Sequence, residues 1–210
     1  MLWASGVAQD QPRELKGGGH LLGETAEQFF SEGFVGDMLR ACEGRKWKSV
    51  TQLYRSVDHA SKANAKDICA KEKLAKQLAM SGARLEYKGQ GDEETMRTDT
   101  FTFDASHLVK IDLVYVTPIA NIEGYRPRSY GELFTGLQEA YGPPTASYSE
   151  PVLSAYGVRY DAQRARWTGK HDVISIIEHP GEDSRTEIIA ESLAEYNRAA
   201  QAAKTANPLQ

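Results

Sequence analysis

The sequence predicts an α+β fold in which helices pack on one face of a largely antiparallel sheet of about six to seven strands. Three observations carry this. Apolar residues in the first third recur at helical spacing, the period drops to two from Ala83, and one further helix signal at Ser129 interrupts a succession of short strands that ends near Ala190. The expected division is a signal remnant and flexible segment over 1–24, one domain over 25–192, and a C-terminal helix and tail over 193–210.

Thr25-Ala26-Glu27-Gln28 has the form of a capping box and opens a short helix carrying Phe29 and Phe30, which Gly33 should end. Phe34, Val35, Met38, Leu39 and Cys42 then mark a second helix, stopped at Gly44, and Trp47, Val50 and Leu53 a third. A longer helix is expected from an Asn64 cap to Met80, with Ile68, Leu74, Ala75, Leu78 and Ala79 as its apolar face. Leu85 and Tyr87 alternate with charged residues, as in a strand, and Thr100–Phe103 with Leu108–Val116 reads as a hairpin rich in β-branched and aromatic residues. Ser129-Tyr130-Gly131-Glu132 is a second capping box, opening a helix stopped by Gly142-Pro143-Pro144. Short strands follow at 157–160, 164–168, 172–178 and 186–190, with the proline-punctuated segment 143–157 read as a loop and Trp167 as a core anchor.

Composition narrows the function classes. A net charge of −4 and a pI near 5.8 argue against nucleic acid as the main partner, since phosphate neutralisation needs a basic surface. No stretch reaches the roughly 20 apolar residues that cross a bilayer, so no integral membrane segment is expected. The segment Leu2–Ala8 before Gln9-Asp10-Gln11-Pro12 has the small residues of a signal-peptidase site, which points to export and a periplasmic or secreted location. With export favoured, Cys42 and Cys69 are expected to form a disulfide; in a reducing compartment both would instead be small buried residues.

The stretch Glu139-Ala140-Tyr141-Gly142-Pro143-Pro144 ends a helix, and Arg164-Ala165-Arg166-Trp167 precedes the strand Val173–Ile177. Over about 95–192 this pattern of helix, Tyr-Gly-Pro stop and Trp-bearing hairpin resembles small exported bacterial modules of the BamE and β-lactamase-inhibitor-protein-like architecture. The resemblance implies a non-enzymatic module that presents a sheet face or its loops to another protein.

Catalytic and metal signatures are not evident in the residues themselves. The five histidines lack zinc-ligand spacing, no Gly-x-Ser-x-Gly elbow occurs, and Gly17-Gly18-Gly19 is followed by no Lys-Ser/Thr, so no metal, cofactor or catalytic residue is expected. Residues 121–166 hold six of the ten tyrosines together with five arginines, the residue types that carry binding energy at interfaces. Tyr125, Arg126, Arg128, Tyr148, Tyr156 and Arg159 are therefore the candidate binding residues for a protein partner or an anionic ligand, with an enzyme holding a small-ligand pocket as the alternative.

Overall fold

The computed structural model describes residues 19–53, 62–89, 91–92, 95–117, 126–153, 157–181 and 184–206. Four helices lead the chain: α1 (Ala26–Ser31), α2 (Gly33–Glu43), α3 (Trp47–Leu53) and α4 (Lys62–Met80). Strands β1 (Leu85–Lys88), β2 (Arg97–Asp104) and β3 (His107–Val116) follow, then α5 (Tyr130–Tyr141). Strands β4 (Ala146–Leu153), β5 (Arg159–Thr168), β6 (Asp172–His179) and β7 (Arg185–Ser192) and helix α6 (Leu193–Ala206) complete it. The α+β reading holds, with seven strands in one antiparallel sheet of order β1-β2-β3-β7-β6-β5-β4.

The chain builds this sheet from two helix-plus-meander halves. In each, a capping box opens a helix: Thr25 accepts from the Gln28 amide in α1, and Ser129 from the Glu132 amide in α5. Each meander ends on a strand in the middle of the sheet, and β3 pairs antiparallel with β7 where the halves meet. Short loops make the neighbouring pairs local, but the β3–β7 contact brings together residues about 70–80 positions apart, such as Ile111 and Ala190.

Alternation decides what each strand buries. Tyr87, Phe101, Phe103, Ile111, Leu113, Ile188, Ala190, Ile174, Ile176, Ala165 and Trp167 face the helices and form one core with Phe29 and Phe30 of α1, Val35 and Leu39 of α2, and Leu133 and Leu137 of α5. Phe29 sits at its centre, with rings of Phe30, Phe101, Phe103 and Tyr87 edge-on around it at 4.9–5.7 Å. Trp167 is fully buried as expected, and its indole N–H donates to the Gly142 carbonyl at 2.8 Å, tying the end of α5 to β5.

A second, smaller core joins α2, α3 and α4 through Met38, Ala41, Cys42, Val50, Ala65 and Cys69. There Cys42 and Cys69 form a disulfide with a Cα separation of 5.6 Å.

Several elements differ from the sequence expectation. Gly33 does not end a helix so much as separate two, taking φ +58° at the first position of α2. Segment 146–153, expected as loop, is the edge strand β4, where Pro151 is tolerated because one side of the strand has no ladder neighbour. Residues 159–168 form one strand rather than two with a turn at Asp161-Ala162. Within 1–24, residues 19–24 are held against the sheet: the Gly23 amide donates to the Leu108 carbonyl, and the buried His20 ring stacks on Phe29 at 3.8 Å.

The largest difference is the roll of α4. Leu74 and Leu78 point outward at 55% and 40% exposure, while Ala65, Cys69, Glu72 and Ala79 face inward. Two tethers set that roll, the disulfide at Cys69 and the hydrogen bond from the Tyr87 hydroxyl to Glu72 Oε2 at 2.8 Å. Burial pushes the Glu72 carboxyl above its ordinary range, and the Tyr87 hydrogen bond works against that.

Candidate docking face

With α1, α2 and α5 on one side of the sheet, the other side is left to α6. This helix follows β7 and turns back over one end of the outer face. The Arg166 guanidinium lies over the Tyr196 ring, 5.5 Å from its centroid, and donates to the Tyr196 hydroxyl. Arg84 donates to Glu195 Oε1 at 2.6 Å, and Arg198 reaches Asp104 at 3.1 Å as well as Glu195. Under the helix, Thr102, Glu191 and Val173 are buried although their side chains leave the sheet on the side away from α1 and α5.

Strand register lays out the rest of the outer face in rows. One row runs Thr98, Val114, Glu187, Ile177, Arg164, Tyr148 across β2, β3, β7, β6, β5 and β4. Its neighbour, nearer α6, runs Thr100, Asp112, Ile189, Ser175, Arg166, Ala146. The β4–β5 side is thus aromatic and basic, the β3–β7 side acidic, and Ile177 and Ile189 lie between.

The acidic side is crowded. Asp112 has Lys110 at 3.5 Å and Glu187 beside it, and Glu187 in turn meets His179 Nε2 at 3.0 Å. Burial first, then the Glu187 charge, raises the Asp112 carboxyl to about 6, with Lys110 opposing. Asp112 Oδ1 is buried without a donor, and the neighbouring Glu187 carboxylate is a group with which it can share a proton. On the basic side, Arg164 pairs with Glu150, yet the Nε atoms of Arg164 and Arg166 lack acceptors. Of the four buried side-chain atoms without a partner among the described residues, three therefore belong to this one face.

The residues expected from sequence to form a binding site do not gather. Tyr148 is on the outer face, 55% exposed and opposite Arg164. Arg159 pairs with Leu153 and, by alternation with Ala165 and Trp167, leaves β5 on the helix-bearing side. Arg126 and Arg128 are exposed in the extended approach to α5, where Arg128 adds to the Ser129 hydrogen bonds that hold the Glu132 carboxyl low. Tyr125 and Tyr156 lie outside the described residues. Sequence reading missed Asp112, Glu187, Ile177 and Ile189; Arg164 and Arg166 were counted among the arginines of 121–166 but were not selected. Strict alternation along 164–166 and 173–177 was the available signal for the basic and apolar part.

Among the described residues, no three His, Cys, Asp or Glu side chains converge as metal ligands, and no helix is long and apolar enough to cross a membrane. No protein-family model matches the sequence, and no match was found among curated proteins or solved structures.

Proposed function

We propose that the protein is a non-enzymatic binding module, exported to an oxidising compartment, that docks another protein on the uncovered part of its outer sheet face. The observation that carries this reading is the division of that face. Helix α6 covers the row of Thr102, Glu191 and Val173 and holds Arg166 through Tyr196, while the rows beside it leave Tyr148 exposed and Arg164 half-buried on one side and Asp112 and Glu187 half-buried on the other. Tyrosine and arginine around an apolar centre are the make-up of an interface hot spot, and opposed charges fix the register of whatever docks. Sheet face rather than loop cluster is thus the favoured part of what the architectural resemblance implies. The disulfide supports the export reading, because such bridges persist in oxidising compartments.

A photo-crosslinking amino acid placed at Tyr148, and in a second protein at Arg159, tests the assignment in the native host. The Tyr148 probe should capture a protein that the Arg159 probe on the opposite side of the sheet does not. Capture of the same protein by both, or by Arg159 alone, would remove the outer face from the account. An enzyme reading draws on one observation, the Asp112–Glu187 pair beside His179; it requires that Asp112→Asn abolish turnover of a small substrate while leaving partner capture unchanged.

A further inference from the structure

Helix α4 carries a second surface, unrelated to the outer sheet face. Six large hydrophobic side chains are well exposed among the described residues, and three of them, Leu74, Leu78 and Met80, lie on the last turns of this helix. The usual arrangement for a helix packed on a core is inverted here, with leucines outward and Glu72 inward. Rolling α4 to bury the leucines would break the Cys42–Cys69 bridge and the Tyr87–Glu72 hydrogen bond, so the stripe is held outward.

The charges around the stripe point to what covers it. Lys66, Lys71 and Lys73 are exposed, and at about 100° per residue Lys71 falls on one flank of Leu74 and Lys66 and Lys73 on the other. Asp67, the one exposed acid among the described side chains of α4, lies in line with the leucines about two turns before Leu74, and Glu72 is taken into the interior. A protein interface would be expected to use Arg, Tyr or Trp and to avoid Lys, whereas this face offers Lys and Leu. Leucines flanked on both sides by lysines suit a helix lying in a lipid interface, where the lysine stems run along apolar surface and their ammonium groups reach the phosphates.

We propose that the outward face of α4 binds the surface of an anionic bilayer, with Leu74 and Leu78 entering the headgroup layer and Lys66, Lys71 and Lys73 on lipid phosphates. The basic patch is local and the chain as a whole is acidic, so binding rests on this one face.

Sedimentation of the full chain with vesicles tests the proposal. The bound fraction should be at least about tenfold higher on vesicles of equal phosphatidylglycerol and phosphatidylcholine than on phosphatidylcholine alone, and should fall as salt is raised. Leu74→Ser/Leu78→Ser should reduce binding to the anionic vesicles about fivefold or more, and Lys66→Gln/Lys71→Gln/Lys73→Gln should remove the salt dependence. These side chains are exposed, so the urea midpoint of each variant should stay at the wild-type value and report that folding is intact. No preference for anionic vesicles, no sedimentation with either, or wild-type binding by the leucine variant at an unchanged urea midpoint would overturn the proposal and leave the stripe to an acidic protein partner.

Discussion

Breaking the Cys42–Cys69 bridge is the perturbation whose size the structure fixes best. The two cysteines are 27 residues apart, and they close a loop that contains α3 and the first half of α4. Loop-closure entropy for a ring of that length comes to about 3.5 kcal/mol. For a protein of this size, that corresponds to a fall in Tm of roughly 7–14 °C. Both side chains are also buried against Met38, Val50 and Ala65, so Cys42→Ala/Cys69→Ala loses some packing in addition. Urea titrations of the oxidised protein, the reduced protein and the double variant should show the reduced form less stable by about 3 kcal/mol and the variant by slightly more. Because α1, β2, β3 and the second half carry their own core, the reduced protein should retain that core, with hydrogen exchange rising first in α3 and α4. Equal midpoints for oxidised and reduced protein would refute the reasoning, as would loss of protection in β3 and β7 before α4.

Two further perturbations probe buried ionisable groups. Tyr87→Phe removes the hydroxyl that donates to Glu72 and should destabilise the fold by about 1–3 kcal/mol; most of that loss should vanish in a Glu72→Gln background, which a double-mutant cycle in urea measures. Asp112 titrates near 6 in the fold against an ordinary carboxyl value of 3.8, so the native state holds its proton more tightly than the unfolded chain does. Its contribution therefore favours folding in acid and is lost as pH rises through the window from about 4 to 6. Asp112→Asn should then raise stability at pH 8 by roughly 1–3 kcal/mol relative to its effect at pH 4, read from denaturation curves at the two pH values.

How much of this was legible in the sequence follows from how local each feature is. Both capping boxes, the β2–β3 hairpin and the Gly142 stop depend on residues within a few positions of one another, and each stands where the sequence puts it. β4 was not legible, because a proline inside a strand is acceptable only at an edge and the edge is decided by β5 finding β6 on its other side. The roll of α4 was hidden for a related reason. Helical spacing gives a stripe of Leu74 and Leu78, but which side faces inward is set by a covalent bond to α2 and a hydrogen bond to β1. The proposed docking face was the least legible part. Tyr148 and Arg159 look like neighbours in a Tyr/Arg-rich segment, yet the β4–β5 register sends them to opposite sides of the sheet. Asp112 and Glu187 are 75 residues apart and meet only through the β3–β7 pairing.

The central claim, that the open rows of the outer sheet face bind a protein partner, is tested most directly by titrating the purified crosslinked partner against four forms of the protein. Tyr148→Ala and Arg164→Ala should each weaken binding by at least about tenfold, the size of one interface hot spot. Arg128→Ala and Arg159→Ala should leave it within about threefold of wild type. If the second pair weakens binding and the first does not, the partner sits on the helix-bearing side, and the account of the outer face is contradicted.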